Sequence, residues 1–236
     1  QIPEVAWMAF VEAAGQARTA GRSDVAIAQL EQALALPITN RQRATVLVEL
    51  GAALVDVARL EEGQTQFERV LQAVSSDSPE AFYAGMGLAE IERRRGRPRF
   101  AMEHLNGLTP PDDAENRSWM AAKATALSEA EDPEAEDAWR ALAELAGAHP
   151  DAQYAALKGQ ADALLAVDKA AEAAELFREA RGVAREPWQK GWAGIGLASA
   201  LGMTEDLDDA ATLLDELVLH SDPEVRLEAS IRRSQL

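Results

Sequence analysis

The chain has 236 residues, 47% of them hydrophobic, and a formal charge of −17; it can bury a substantial core and is too acidic to take phosphate backbones or anionic lipid surfaces as main partners. With no cysteine it has no disulfide, thiolate metal site or cysteine nucleophile, and that absence is compatible with both bacterial periplasm and cytoplasm. Sparse aromatics, at 5%, and abundant alanine favour closely packed helices over sheet.

Taken in chain order, the predicted helices fall into pairs. The first pair spans about residues 3–37, as two helices from Pro3 to Ala20 and from Asp24 to Leu36, with Gly21 between them and Pro37 closing the second. The second spans 40–74 and ends in the polar cluster Ser75, Ser76, Asp77, Ser78, Pro79, whose side chains offer caps. The third covers 80–108, with Gly96 and Pro98 in its turn, and the fourth 113–150, with Asp132 and Pro133 in its turn. Pairs at 151–185 and 187–220 follow, then a terminal helix over 223–236. Gln1 opens the chain with neither an initiator methionine nor a signal-like segment, and the last helix stops in mid-pattern, so both ends read as cut from a longer protein. No run of about 18 apolar residues reads as a membrane span.

Small residues recur at Ala26, Gly63, Ala101, Ala138, Ala173 and Ala210, separated by 37, 38, 37, 35 and 37 residues. A period of that length means that each pair is one supersecondary unit that shares its core with its neighbours. Internal similarity supports duplication: residues 83–89 (YAGMGLA) return as 192–198 (WAGIGLA) and, more weakly, as 155–161 (AALKGQA). Gly191, Gly194 and Gly196 approach a dinucleotide-binding fingerprint, but they lie inside helical periodicity with no strand upstream, so they read as sites of close helix packing.

These units resemble the tetratricopeptide repeat family. The first carries Ala14, Gly21, Ala26, Leu30, Ala33 and Pro37 in the family's order, the third Leu88, Ala89, Gly96, Ala101 and Leu105, and the second Leu50, Gly51, Gly63 and Phe67. The fourth, with Ala126, Ala138 and Leu142, and the last two match less fully, and the spacing exceeds the family's usual 34 residues. The resemblance implies an all-α, right-handed α-α superhelix of stacked antiparallel helix pairs, read as one solenoid domain, with no catalytic role, cofactor or metal. It also implies that a protein or peptide partner lies in a concave groove lined by the first helix of each pair. That face is expected to present Met8 and Val11; Val48; Tyr83, Met86, Glu90 and Arg93; Met120, Lys123 and Leu127; Lys158 and Asp162; and Trp192 and Ile195. Packing between adjacent units is the alternative use for many of these apolar groups.

Other chemistry is thin. His104, His149 and His220 are one or two repeats apart, and no helix carries paired histidines with metal-ligand spacing. The carboxylates between Glu129 and Asp137 read as a solvated turn and helix start, without the spaced oxygens and glycine of a calcium loop. Arg93, Arg94, Arg95, Arg97 and Arg99 form the one basic block, at the end of a first helix where cations favour the dipole. Lys123 and Lys158, two of only four lysines, fall at equivalent groove positions; with Arg93 they form a candidate cationic strip for a partner's acidic segment or chain terminus. The chaperone-binding pattern of the family is missing, since Val11, Gly15, Glu49, Tyr83 and Gly87 occupy its places. The sequence therefore predicts a non-enzymatic scaffold for a protein partner, with a bacterial envelope assembly or export complex as one setting and a cytoplasmic adaptor as another. The alternative is a self-association module that builds homo-oligomers. Nucleic acid and direct membrane insertion are not expected.

Overall fold

A computed structural model of the chain describes residues 5–147 and 149–236. Its described residues form helices joined by short turns, and Pro3 and Glu4, expected at the start of the first helix, lie outside them. The first three pairs are α1 (Ala6–Thr19) with α2 (Ser23–Leu34), α3 (Asn40–Asp56) with α4 (Leu60–Ala73), and α5 (Pro79–Arg94) with α6 (Pro98–Asn106). The next are α7 (Asp113–Glu129) with α8 (Ala135–Ala146), α9 (Pro150–Ala166) with α10 (Ala170–Val183), and α11 (Pro187–Met203) with α12 (Leu207–Leu217), followed by α13 (Pro223–Arg233). Packing divides the chain into two compact units, one up to Trp119 and one from Met120. In the first, α1, α3 and α5 form one layer while α2 and α4 each pack against the first helix of the next pair. In the second, α9, α11 and α13 form the corresponding layer, with α8, α10 and α12 packed against successive members.

Each pair turns in the same way. Six residues between paired helices adopt positive φ: Gly21, Ala58, Gly96, Glu131, Asp168 and Glu205. The N–H of the residue after each of them, Arg22, Arg59, Arg97, Asp132, Lys169 and Asp206, donates to a carbonyl five residues back at 2.8–3.0 Å. These bonds satisfy carbonyls that a helix end leaves orphaned and reverse the chain within three to five residues. Only two of the six turns use glycine, for which this conformation carries no Cβ penalty. The sequence marks Gly21 and Gly96 as turns; the other four have the same geometry without the residue that signals it.

The layers lock together through aromatic rings seated on glycines. Phe67 of α4 is 1% exposed, and its ring lies between Gly51 of α3 and Gly87 of α5. A Cβ on either glycine would fall 2.6 or 2.2 Å from the ring, well inside contact distance. The same arrangement recurs in the second unit, where Trp139 of α8 meets Gly159 of α9 and Phe177 of α10 meets Gly196 of α11, with added Cβ atoms at 2.3 and 2.2 Å. Gly191 and Gly194 likewise lie under Val225 and Leu217, so the glycine-rich stretch of α11 serves packing. Of the six periodic small residues, Ala26, Ala101, Ala173 and Ala210 are buried, and a Cβ on Gly63 would sit 3.1 Å from the Gly51 carbonyl oxygen. The fourth pair differs from expectation. Ala138 is only half-buried, and the small core residue is Ala135, one helical turn earlier, because α8 enters through the longer turn around Pro133 and directs Ala135, Trp139 and Leu142 inward.

Polar bridges add register. In the first unit Arg94 Nη1 donates to the Val55 carbonyl of α3 at 2.8 Å, and Arg95 Nη1 to Gln64 Oε1 of α4 at 2.8 Å. The basic block therefore joins consecutive pairs, beyond the dipole role expected of it. In the second unit the Tyr154 hydroxyl donates to the Gln189 carbonyl at 3.0 Å, and Gln189 Nε2 reaches Asp151 at 3.2 Å. His220 Nδ1 accepts from the Asp222 N–H, which makes Nε2 the donor to the Pro187 carbonyl at 3.0 Å.

Replacing the left-handed Ala58 by glycine is expected to stabilise the chain by about 1 kcal/mol, and Asp168→Gly and Glu205→Gly similarly; chemical denaturation measures it, and no gain would mean that the turns relax in solution. Gly87→Ala should destabilise by about 1–3 kcal/mol through overpacking against the clamped Phe67 ring, despite alanine's better helix propensity. In a Phe67→Leu background the same change should become neutral or stabilising, and a double-mutant cycle with zero coupling would rule the lock out. Burial first, and the Asp162 charge second, push the Tyr154 hydroxyl up to about 12. An unfolded tyrosine ionises near pH 10, so this contribution is complete below about pH 10 and is lost as pH rises towards 12. Tyr154→Phe should lower stability by about 1 kcal/mol at pH 7 and flatten the fall in Tm between these pH values; an unchanged slope would refute the assignment.

Candidate functional site

The first helices of the pairs carry the candidate site, and each unit is described by itself. In the first unit, the helical register along α1 leaves Met8 53% exposed and Val11 half-buried, while Tyr83 of α5 is 41% exposed. Val48 of α3 and Met86, Glu90 and Arg93 of α5 are half-buried. Between α1, α3 and α5 lies an open cavity of about 370 Å³ that Val48, Tyr83, Met86 and Glu90 help to line. Its apolar floor also includes Ala52 and the edge of Phe67. Four of the predicted residues are thus brought to one place.

Charged side chains from three helices surround this floor: Arg18 of α1, Glu49 and Asp56 of α3, and Glu90 and Arg94 of α5. Arg18 Nε lies 2.8 Å from Asp56 and its Nη1 3.2 Å from Glu49, while the Ser23 hydroxyl also donates to Asp56 at 3.2 Å. Burial works against the Arg18 charge, but the hydrogen bond and charge of Asp56, with help from Glu49, outweigh it and raise its pKa. Across the cavity Glu90 receives Arg93 at 2.8 Å and Arg94 at 2.6 Å. Burial pushes the Glu90 carboxyl up, and the two guanidiniums overcome that effect and hold it below the ordinary glutamate range. The Tyr83 hydroxyl donates to Glu115, and that bond, followed by burial and nearby negative charge, pushes it up to about 12.

The second unit presents a different surface. Met120 and Lys123 of α7 and Trp192 of α11 are half-buried, and Trp192 packs against the core. Lys158 Nζ of α9 pairs with Asp162 one turn later at 2.6 Å, as the four-residue spacing permits. Leu127 and Ile195 do not reach the surface: they are 8% and 3% exposed, and Ile195 belongs to the core around Phe177. Both were assigned to the groove by helical spacing; they turn inward because the first-helix layer is also covered by neighbouring helices.

Sequence reasoning omitted Arg18, Glu49 and Asp56 from the site, although the register that selected Thr45 and Ala52 gives Glu49 and Asp56 four residues further along α3. Among the described residues no group of three or more His, Asp or Glu side chains is placed to hold a metal ion, and no helix is long and apolar enough to cross a membrane. The site offers apolar contact and charged hydrogen-bonding groups, with no nucleophile set beside a base.

Solved structures of low sequence identity share the fold. A tetratricopeptide repeat protein from Parabacteroides merdae matches 97% of this chain and 87% of its own with a TM-score of 0.70 at 14% identity. The C-terminal part of a TPR repeat-containing protein from Cytophaga hutchinsonii matches 94% and 87%, with a TM-score of 0.58 at 11% identity. An assembly chaperone of RpL4 matches 96% and 95%, with a TM-score of 0.59 at 14% identity. No curated protein matches in sequence. Proteins built from these repeats generally act as scaffolds for protein interactions. The family model described as "Tetratrico peptide repeat" matches residues 7–110 and 155–233, three quarters of the chain, and with its helix pairs and recurrent small residues the chain belongs to the tetratricopeptide repeat family.

Proposed function

We propose that the chain is a non-catalytic scaffold that holds a peptide or protein partner on the first-helix face of its helix pairs. The observation that carries this reading is the cavity of about 370 Å³ between α1, α3 and α5, with Tyr83 and Met86 at its side and an apolar floor beneath. Adaptable methionine and rigid tyrosine both supply contact area for a partner's side chain. Unlike the second-helix layer, which turns most of its large side chains into the core, this face leaves Met8 and Tyr83 in solvent.

Immobilised chain is the direct test, with retained proteins identified after washing. Tyr83→Asp together with Met86→Asp should reduce retention of a specific partner at least tenfold, whereas Leu71→Asp, at an exposed position of α4, should leave it unchanged. Equal loss in both variants, or equal retention, would move the binding surface off the first-helix face. Recovery of the chain alone, with a mass in light scattering that rises with concentration, would replace this reading with self-association.

A further inference from the structure

The cavity of the first unit has an unequal supply of donors and acceptors. Both of its guanidiniums are engaged internally: Arg18 by Asp56 and Glu49, Arg94 by Glu90 and the Val55 carbonyl. Arginine has donors only, and these four are held by helices that the same bonds fix in place. Each carboxylate, in contrast, has about four acceptor sites. Glu49 receives one hydrogen bond from Arg18, and the Glu49 and Glu90 side chains remain 37% and 33% exposed. Three carboxylates against two arginines also leave the lining with an excess negative charge.

An acidic ligand would have to displace Glu49, Asp56 or Glu90 from its arginine before finding a donor. A cation would find free acceptors without breaking any of these pairs. Beneath them Val48, Ala52, Met86 and the edge of Phe67 supply apolar contact. Resting on the scaffold reading above, we infer that this cavity selects a peptide segment in which a lysine or arginine adjoins a large apolar side chain: the apolar group fills the floor and the cation lies between Glu49 and Glu90. The charge complementarity is opposite to that of the acidic segment suggested by the positions of Arg93, Lys123 and Lys158. In the structure Arg93 is held by Glu90 and Lys158 by Asp162.

A random dodecapeptide library displayed on phage, selected on the immobilised full chain, tests this directly. Enriched sequences should contain lysine or arginine beside Leu, Ile, Phe or Met. A synthetic peptide of the enriched sequence should bind at least tenfold more weakly to Glu49→Gln/Glu90→Gln and to Ala52→Leu. The second variant fills the cavity without altering charge, and leucine retains good helix propensity; circular dichroism and thermal melting confirm that each variant is folded. Binding of the cationic peptide should also weaken as salt rises from 50 to 500 mM, because screening acts on partly exposed charges. Enriched peptides that are acidic or neutral, or that bind the cavity variants as well as the wild type, would overturn this inference and leave the scaffold reading standing. Failure to enrich any peptide would count against both.

Discussion

The architecture depends on helices from successive pairs approaching more closely than side chains normally permit. Phe67 makes the condition explicit: a buried ring occupies the space that two Cβ atoms, on Gly51 and Gly87, would need. A glycine inside a helix costs about 1 kcal/mol relative to alanine, so these helices give up local stability for contact across the layer. The second unit repeats the bargain with Trp139 on Gly159 and Phe177 on Gly196. Wide, flat rings set against bare backbone give a defined distance and rotation between neighbours, which a uniform alanine and leucine interface specifies less sharply.

The polar surface follows from that close stacking. Because consecutive first helices lie side by side, an arginine near the end of one reaches a carboxylate or carbonyl of the next, as Arg18 does with Glu49 and Asp56 and Arg94 with Val55. Many of the cations in this acidic chain are drawn into such bridges. What remains for an external partner on the first unit's cavity is set less by the number of charges in the sequence than by which hydrogen-bonding capacity those bridges leave over.

Much of this was legible in the residues. The near-constant spacing of small side chains gave the pairs, and proline, glycine and serine at their ends gave approximate helix limits: Ser78 and Asp222 do cap α5 and α13. Periodicity failed where a side chain's direction depends on more than one neighbour. Ala138 fits the repeat in number, yet a longer turn shifts the register of α8 by one helical turn and buries Ala135 instead. Leu127 and Ile195 have groove spacing, but helices in a layer are covered on more than one side. The cavity was only partly visible. Its apolar residues follow helical spacing, whereas Arg18, Glu49 and Asp56 meet there through a contact between α1 and α3 that lies outside the periodicity of either helix.

The ring-on-glycine contact also governs how such an array is able to lengthen or shorten by duplication. Each pair ends in a side chain whose size must suit the first helix that follows. The first pair presents Leu30 at the place where the second presents Phe67, and the helices that follow carry Glu49 and Gly87, respectively, at the facing register. Deleting the second pair whole would set Leu30 against Gly87 and leave a void, whereas repeating it in tandem would drive Phe67 against Glu49. Insertions and losses that keep the core closed are therefore those whose junctions match ring to glycine, so the order of the pairs is inherited along with their number.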